Sequence, residues 1–164
     1  MILKLQKRPN GSVIFCDDIR SEVGNKLSFM GVYSLSMALP AGTTFPVSLP
    51  KLGVAITWNE PIDDYPEEVT FKVIFVALDA PPHSEDGTTL AEINYNVKQG
   101  FENNPVPAHC DGENREASHR QMTAIAILAP FVIQHPGKVR VRAYRKGEAW
   151  GVAALRIEME EPVS

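Results

Sequence analysis

The chain has 164 residues, 16 of them basic and 20 acidic, for a formal net charge of −4 and a pI near 5.6. That length suits one domain over 1–164, which buries roughly 70% of the surface its unfolded chain exposes and needs no covalent staples. The acidic balance argues against a dedicated nucleic-acid binder, and apolar and charged contents of 44% and 22% argue against wholesale disorder.

Residues 1–9 alternate apolar and basic side chains and soon reach Pro9-Asn10-Gly11. They lack the apolar stretch of a secretory signal. No run of about 18 apolar residues follows, so no membrane span is predicted. The first predicted strand is 12–19, with Val13, Phe15, Asp17 and Ile19 on one face and Ile14, Cys16 and Asp18 on the other. The second is 28–39, with Phe29, Gly31, Tyr33, Leu35, Met37 and Leu39 on one face and small polar residues opposite. The third, 49–58, alternates Leu52, Val54, Ile56 and Trp58 with Lys51, Gly53, Ala55 and Thr57. The fourth, 69–78, is rich in β-branched and aromatic residues.

Residues 89–98 fit a strand better than a helix, with Ala91, Ile93, Tyr95 and Val97 inside. Residues 121–133 are apolar on both faces, a pattern shared by a central strand and a buried helix; Thr123, the flanking strands and Pro130 favour the strand. The last pair is the clearest. Val139, Val141 and Ala143 alternate with Lys138, Arg140 and Arg142, residues 145–148 form a turn, and 150–159 return. This is a hairpin signature. About seven or eight short strands with turn signals between them predict an all-β, single-domain antiparallel β-sandwich, with a barrel as the alternative. The long irregular stretches are 80–88 and 100–119. The second is either a functional loop or a flexible excursion.

Residues 15–33, FCDDIRSEVGNKLSFMGVY, concentrate the unusual chemistry. The Cys-Asp-Asp, Arg, Glu, Asn-Lys and Gly-x-Tyr in this order resemble the opening of a bacterial and phage protein family to which no activity is attached. The resemblance is sharpest over 15–33 and fades to a β-strand rhythm beyond. It implies a β-rich domain of bacterial or phage origin and a cytoplasmic location, and it carries over no catalytic residues.

Read physically, Asp17 and Asp18 end a strand, Asp is a good N-cap and Gly24 a natural left-handed residue, so 19–23 are predicted to form one helical turn. Glu22 then lies beside Arg20 and Lys26, in a capped and salt-bridged corner. By parity Asp17 falls on the apolar face and has to be paired, with the corner's backbone N–H groups, Lys26 or the Tyr33 hydroxyl, while Asp18 is wetter. The competing reading is a carboxylate site in which Asp17, Asp18 and Glu22 hold a hard cation such as Ca²⁺ or Mg²⁺, or act as an acid–base pair, although the spaced-aspartate calcium-loop motif is absent.

His109-Cys110-Asp111 is the second candidate. A Cys110 nucleophile needs His119 or His83 as its base, because adjacent residues in extended chain point apart. A zinc site from His109, Cys110 and His119 matches no established spacing. Cys16 and Cys110 are expected to be reduced thiols in the cytoplasm. The row Lys138, Arg140, Arg142 with Arg145 and Lys146 reads as an exposed basic face paired across the hairpin with Glu158 and Glu160, the alternative being a site for an acidic partner or phosphate. Trp58 and Trp150 read as the edge of the core. No Gly-rich phosphate loop, nucleophile elbow or CxxC pair is present. The expected function is a non-enzymatic binding or assembly module with a protein partner, without a cofactor, nucleic acid or membrane. The alternative is a metal-binding protein or an enzyme using the Asp17/Asp18/Glu22 corner or the His109-Cys110 loop.

Overall fold

Alternation of apolar and polar side chains, broken by Gly and Pro, produces strands throughout the computed structural model, which describes residues 8–103 and 119–161. In chain order these are β1 (Asn10–Glu22), β2 (Lys26–Tyr33), β3 (Ser36–Leu39), β4 (Val47–Leu49), β5 (Leu52–Pro61), β6 (Glu68–Ala77) and β7 (Thr88–Asn96). A short helix, α1 (Val97–Asn103), precedes β8 (His119–Leu128), β9 (Phe131–Ile133), β10 (Gly137–Arg145) and β11 (Glu148–Met159). One sheet has the order β2-β1-β5-β8, the second β3-β11-β10-β6-β7, and β4 and β9 form a two-stranded ribbon. The sheets stay open, so the all-β sandwich is the fold and the barrel alternative is not.

The core lies between the two large sheets. Phe15, Val54, Ile56 and Trp58 from the first sheet face Phe71, Val73, Val139, Val141, Leu155 and Ile157 from the second. Trp58 meets Phe71 edge-on, with centroids 6.1 Å apart, an arrangement that adds to plain area burial. The predicted hairpin of β10 and β11 is present. Arg145 pairs with Glu148 across Lys146 and Gly147, both with positive φ (48° and 76°), as a two-residue hairpin turn of this twist requires. The segment 89–98 is a strand to Asn96. There the Asn96 side chain accepts the Gln99 N–H at 2.8 Å and starts α1.

Four expectations are corrected. Residues 19–23 are not a helical turn: β1 runs on to Glu22 and turns through Val23, Gly24 and Asn25, where Gly24 and Asn25 have positive φ. Pairing with β2 satisfies backbone groups that a lone helical turn would leave open. Residues 28–39 are two strands, because the chain leaves the first sheet at Ser34–Leu35 and enters the second as β3, parallel to β11. Leu35 is 81% exposed at that crossing. Residues 121–133 are not one central strand: β8 ends at Leu128, β9 pairs with β4, and among the described residues β8 is an edge strand whose second apolar face is half-exposed. The row Arg140, Arg142 is not exposed but buried, under the segment 78–87. Arg140 donates to the carbonyls of Pro81 and Ala80 at 2.8 and 2.9 Å, and Arg142 to the His83 carbonyl and Glu85. The cross-hairpin partner of Arg140 is Ala154, not a glutamate.

Candidate functional site

The two large sheets treat their outer faces differently. On the second, Ile74 and Val76 are buried beside Arg140, and the segment 78–87, fastened by Arg140 and Arg142, folds across. Tyr144 adds a hydrogen bond to Glu85 at 2.9 Å. Buried arginines here serve as clamps on backbone carbonyls, which keeps their charge hydrogen-bonded.

On the first sheet no described segment does the same. Its register sets the side chains in rows across the strands. Asn10, Asn59 and Gln121 form a polar row, tied by a 2.8 Å bond between Asn59 and Asn10. Ser12, Thr57 and Thr123 form the next. Then come two apolar rows: Ile14, Ala55 and Ile125, followed by Val32, Cys16, Gly53 and Ile127. Beyond them Met30 lies opposite Asp18, which is held by Lys51 at 2.6 Å and Arg20 at 2.8 Å. Val32 is 57% exposed, Ile127 and Met30 47% each, and Ile125 39%. The face therefore has an uncharged apolar centre between a hydroxyl and amide border and an ion-paired border, the layout of a contact surface with a polar rim.

Two small residues keep this centre flat. A Cβ on Gly53 would lie 2.8 Å from the Ile19 side chain and 3.2 Å from the Cys16 sulfur. The Cys16 thiol is fully buried, donates to the Asp18 carbonyl at 3.3 Å, and is pushed up in pKa by burial. It therefore remains a protonated thiol that fills space.

A polar cluster occupies one end of the sandwich. Glu60 is fully buried and accepts from Trp58 Nε1 and Arg145 Nε, both at 2.9 Å. Arg145 also donates to the Asp64 carbonyl at 2.8 Å. This ion pair joins β5 of one sheet to β10 of the other. Arg120, opposite Glu60 on β8, donates to the Phe101 carbonyl at 2.7 Å and lies 4.5 Å from the Phe101 ring. Two shallow clefts flank the cluster, one of about 340 Å³ lined by Arg8, Asp64, Lys146 and Trp150, the other of about 250 Å³ lined by Tyr65, Lys98, Phe101 and Arg120. Both carry charges of each sign: Lys146 pairs with Asp64 in the first, and Lys98, Arg120 and Glu102 line the second.

The carboxylates singled out in the sequence are not brought to one point. Asp17 is exposed and accepts the Tyr33 hydroxyl. Asp18 carries the ion pairs to Lys51 and Arg20, which hold its carboxyl down at about 2. Glu22 is exposed, opposite Lys26 at the hairpin end. Asp17 does not lie on the buried face that its parity suggests, because β5 pairs β1 only as far as Cys16 and the hairpin runs on beyond that pairing. Among the described residues no three His, Cys, Asp or Glu side chains gather as metal ligands would. His109 and Cys110 lie outside the described residues; His119 opens β8, its ring nitrogen 3.0 Å from the Arg8 carbonyl.

Sequence reading missed the Glu60–Arg145 pair, yet parity contained it. Glu60 continues the inward series Leu52, Val54, Ile56, Trp58, and Arg145 continues Val139, Val141, Ala143. Two opposite charges ending inward series on different strands are the available signal. Among the described residues no helix is long and apolar enough to cross a membrane. Comparison of the chain with protein-family models, with curated proteins and with solved structures finds no match.

Proposed function

We propose that this protein is a non-enzymatic binding and assembly module that meets a protein partner through the outer face of the β2-β1-β5-β8 sheet. The observation that carries the reading is the pair of adjacent apolar rows, Ile14-Ala55-Ile125 and Val32-Cys16-Gly53-Ile127, open to solvent at both ends. The same fold covers the equivalent face of its other sheet with its own chain. Leaving Val32 and Ile127 in water forgoes roughly 25 cal/mol for each Å² of apolar surface left unburied, and a partner recovers it. The clefts at the end of the sandwich support catalysis less well, since Lys146 and Asp64 are paired with each other in the first and Arg120 is bound to the Phe101 carbonyl in the second. The test is affinity capture from a lysate of the native host with the parent and with a Val32→Glu/Ile127→Glu variant. A protein held by the parent and lost by the variant supports the reading; capture that ignores both changes assigns the contact elsewhere.

A further inference from the structure

The first sheet ends in an edge that differs from the others. β3 is four residues long. β2 is kinked at Gly31, whose φ is +64° and whose Cα packs against the Asp17 carboxylate. β7 has a register irregularity opposite Val73/Ile74 and an outward Glu92 paired with Lys72. Short length, kinks and charges are the devices by which sheet edges avoid pairing with other chains. β8 has none of them over 121–128, QMTAIAIL: no charge, no Pro and no Gly in an unbroken register with β5. Among the described residues its outer edge has no ladder partner.

We propose that β8 pairs antiparallel with β8 of a second copy of this chain, joining two four-stranded sheets into one continuous sheet about a two-fold axis. Charge selects this occupant. Antiparallel pairing about Ile125 sets Ile125 opposite itself and Thr123 opposite Ile127, with Ala124 opposite Ala126 beneath, and Arg120 falls past Leu128 of the other copy. No like charges meet. The same operation on β7 about its central residue would set Glu92 against Glu92. An antiparallel edge is its own complement in hydrogen bonding, so a two-fold uses every free backbone group of the window. The pairing also closes: once both β8 edges are used, the joined sheet ends in two kinked β2 edges, and growth stops. It brings Ile125 of the two copies together at the spacing of neighbouring strands, about 4.8 Å, sets Ile127 of each copy beside Thr123 of the other, and doubles the apolar face. The proposal rests on the apolar face read above, and its readout, self-association, is distinct from the partner capture that judges that face.

Sedimentation over a wide concentration range, with hydrogen exchange of the β8 amides, tests it. The expected result is a dimer in which alternate amides of 121–128 gain protection as concentration rises. Ile125→Lys places like charges on the axis and is expected to weaken the dimer at least about tenfold, while Val32→Lys, on the same face at the far edge, leaves it intact. Ile125→Cys in a Cys110→Ser background is expected to form an interchain disulfide on oxidation, and this readout holds if the lysine variant fails to fold. A parent that stays monomeric at the highest concentration overturns the pairing, and the host-lysate capture still judges the face. A dimer broken by Val32→Lys but not by Ile125→Lys also overturns it, since the copies would then stack face to face.

Discussion

At the scale of single residues, stability concentrates where charge is buried. Glu60 and Arg145 leave water together, and each satisfies the other with help from Trp58 and the Asp64 carbonyl. Removing one partner strands the other. Glu60→Leu is expected to cost about 3–5 kcal/mol in urea unfolding, and Glu60→Leu/Arg145→Leu to cost less than the sum of the single changes. Asp17 behaves differently. Its parity suggests a buried carboxylate, but it sits on the hairpin beyond the β1–β5 pairing, so Asp17→Ala is expected to cost less than about 1 kcal/mol, in the range of surface changes. Asp18 gives a pH signature. Lys51 and Arg20 hold its folded pKa at about 2, below the value of 3.8 for a free carboxyl. Its contribution is therefore fully present above pH 4 and lost as pH falls through 2. Acid titration of the parent against Asp18→Asn should show the variant lacking that component of the acid slope.

At the scale of elements, the β1–β2 hairpin and the 78–87 segment depend on a few contacts each. Gly31 has a left-handed backbone, and a Cβ there would collide with Asp17 Oδ2. Gly31→Ala is expected to destabilise by about 1–3 kcal/mol, the range for such strained positions, measured by thermal unfolding. The segment 78–87 is held through Arg140 and Arg142 rather than through an apolar face of its own. Arg140→Ala should therefore speed proteolytic cleavage within 78–87 while leaving far-UV circular dichroism unchanged. Strand positions were legible wherever one face was apolar, as in β5, β6 and β10, because period-two alternation follows directly from burial on one side. The break between β2 and β3 was not, since Leu35 continues the alternation while the chain changes sheets. The burial of Arg140 was also hidden, because its cover comes from carbonyls about sixty residues earlier in the sequence, a relation that no local pattern expresses.

At the scale of the whole molecule, both sheets share one core, and the Glu60–Arg145 pair ties them. Fluorescence of Trp58, buried between the sheets, and far-UV circular dichroism should report one coincident unfolding transition. Two separated transitions would show the sheets failing independently. By itself the sequence determined the all-β class, the β10–β11 hairpin with its Lys146-Gly147 turn, and the inward residues of most strands. These follow from local alternation and from turn residues that tolerate positive φ, and both are properties of neighbouring positions in the chain. Only the tertiary structure decided which apolar faces remain in water. Residues 121–128 carry two apolar faces in any arrangement; as a central strand between covering layers both would be buried. Sheet order puts β8 at an edge and leaves Ile125 and Ile127 outside, because which strands become neighbours, and which loop crosses which face, is set by long-range packing and not by the local pattern.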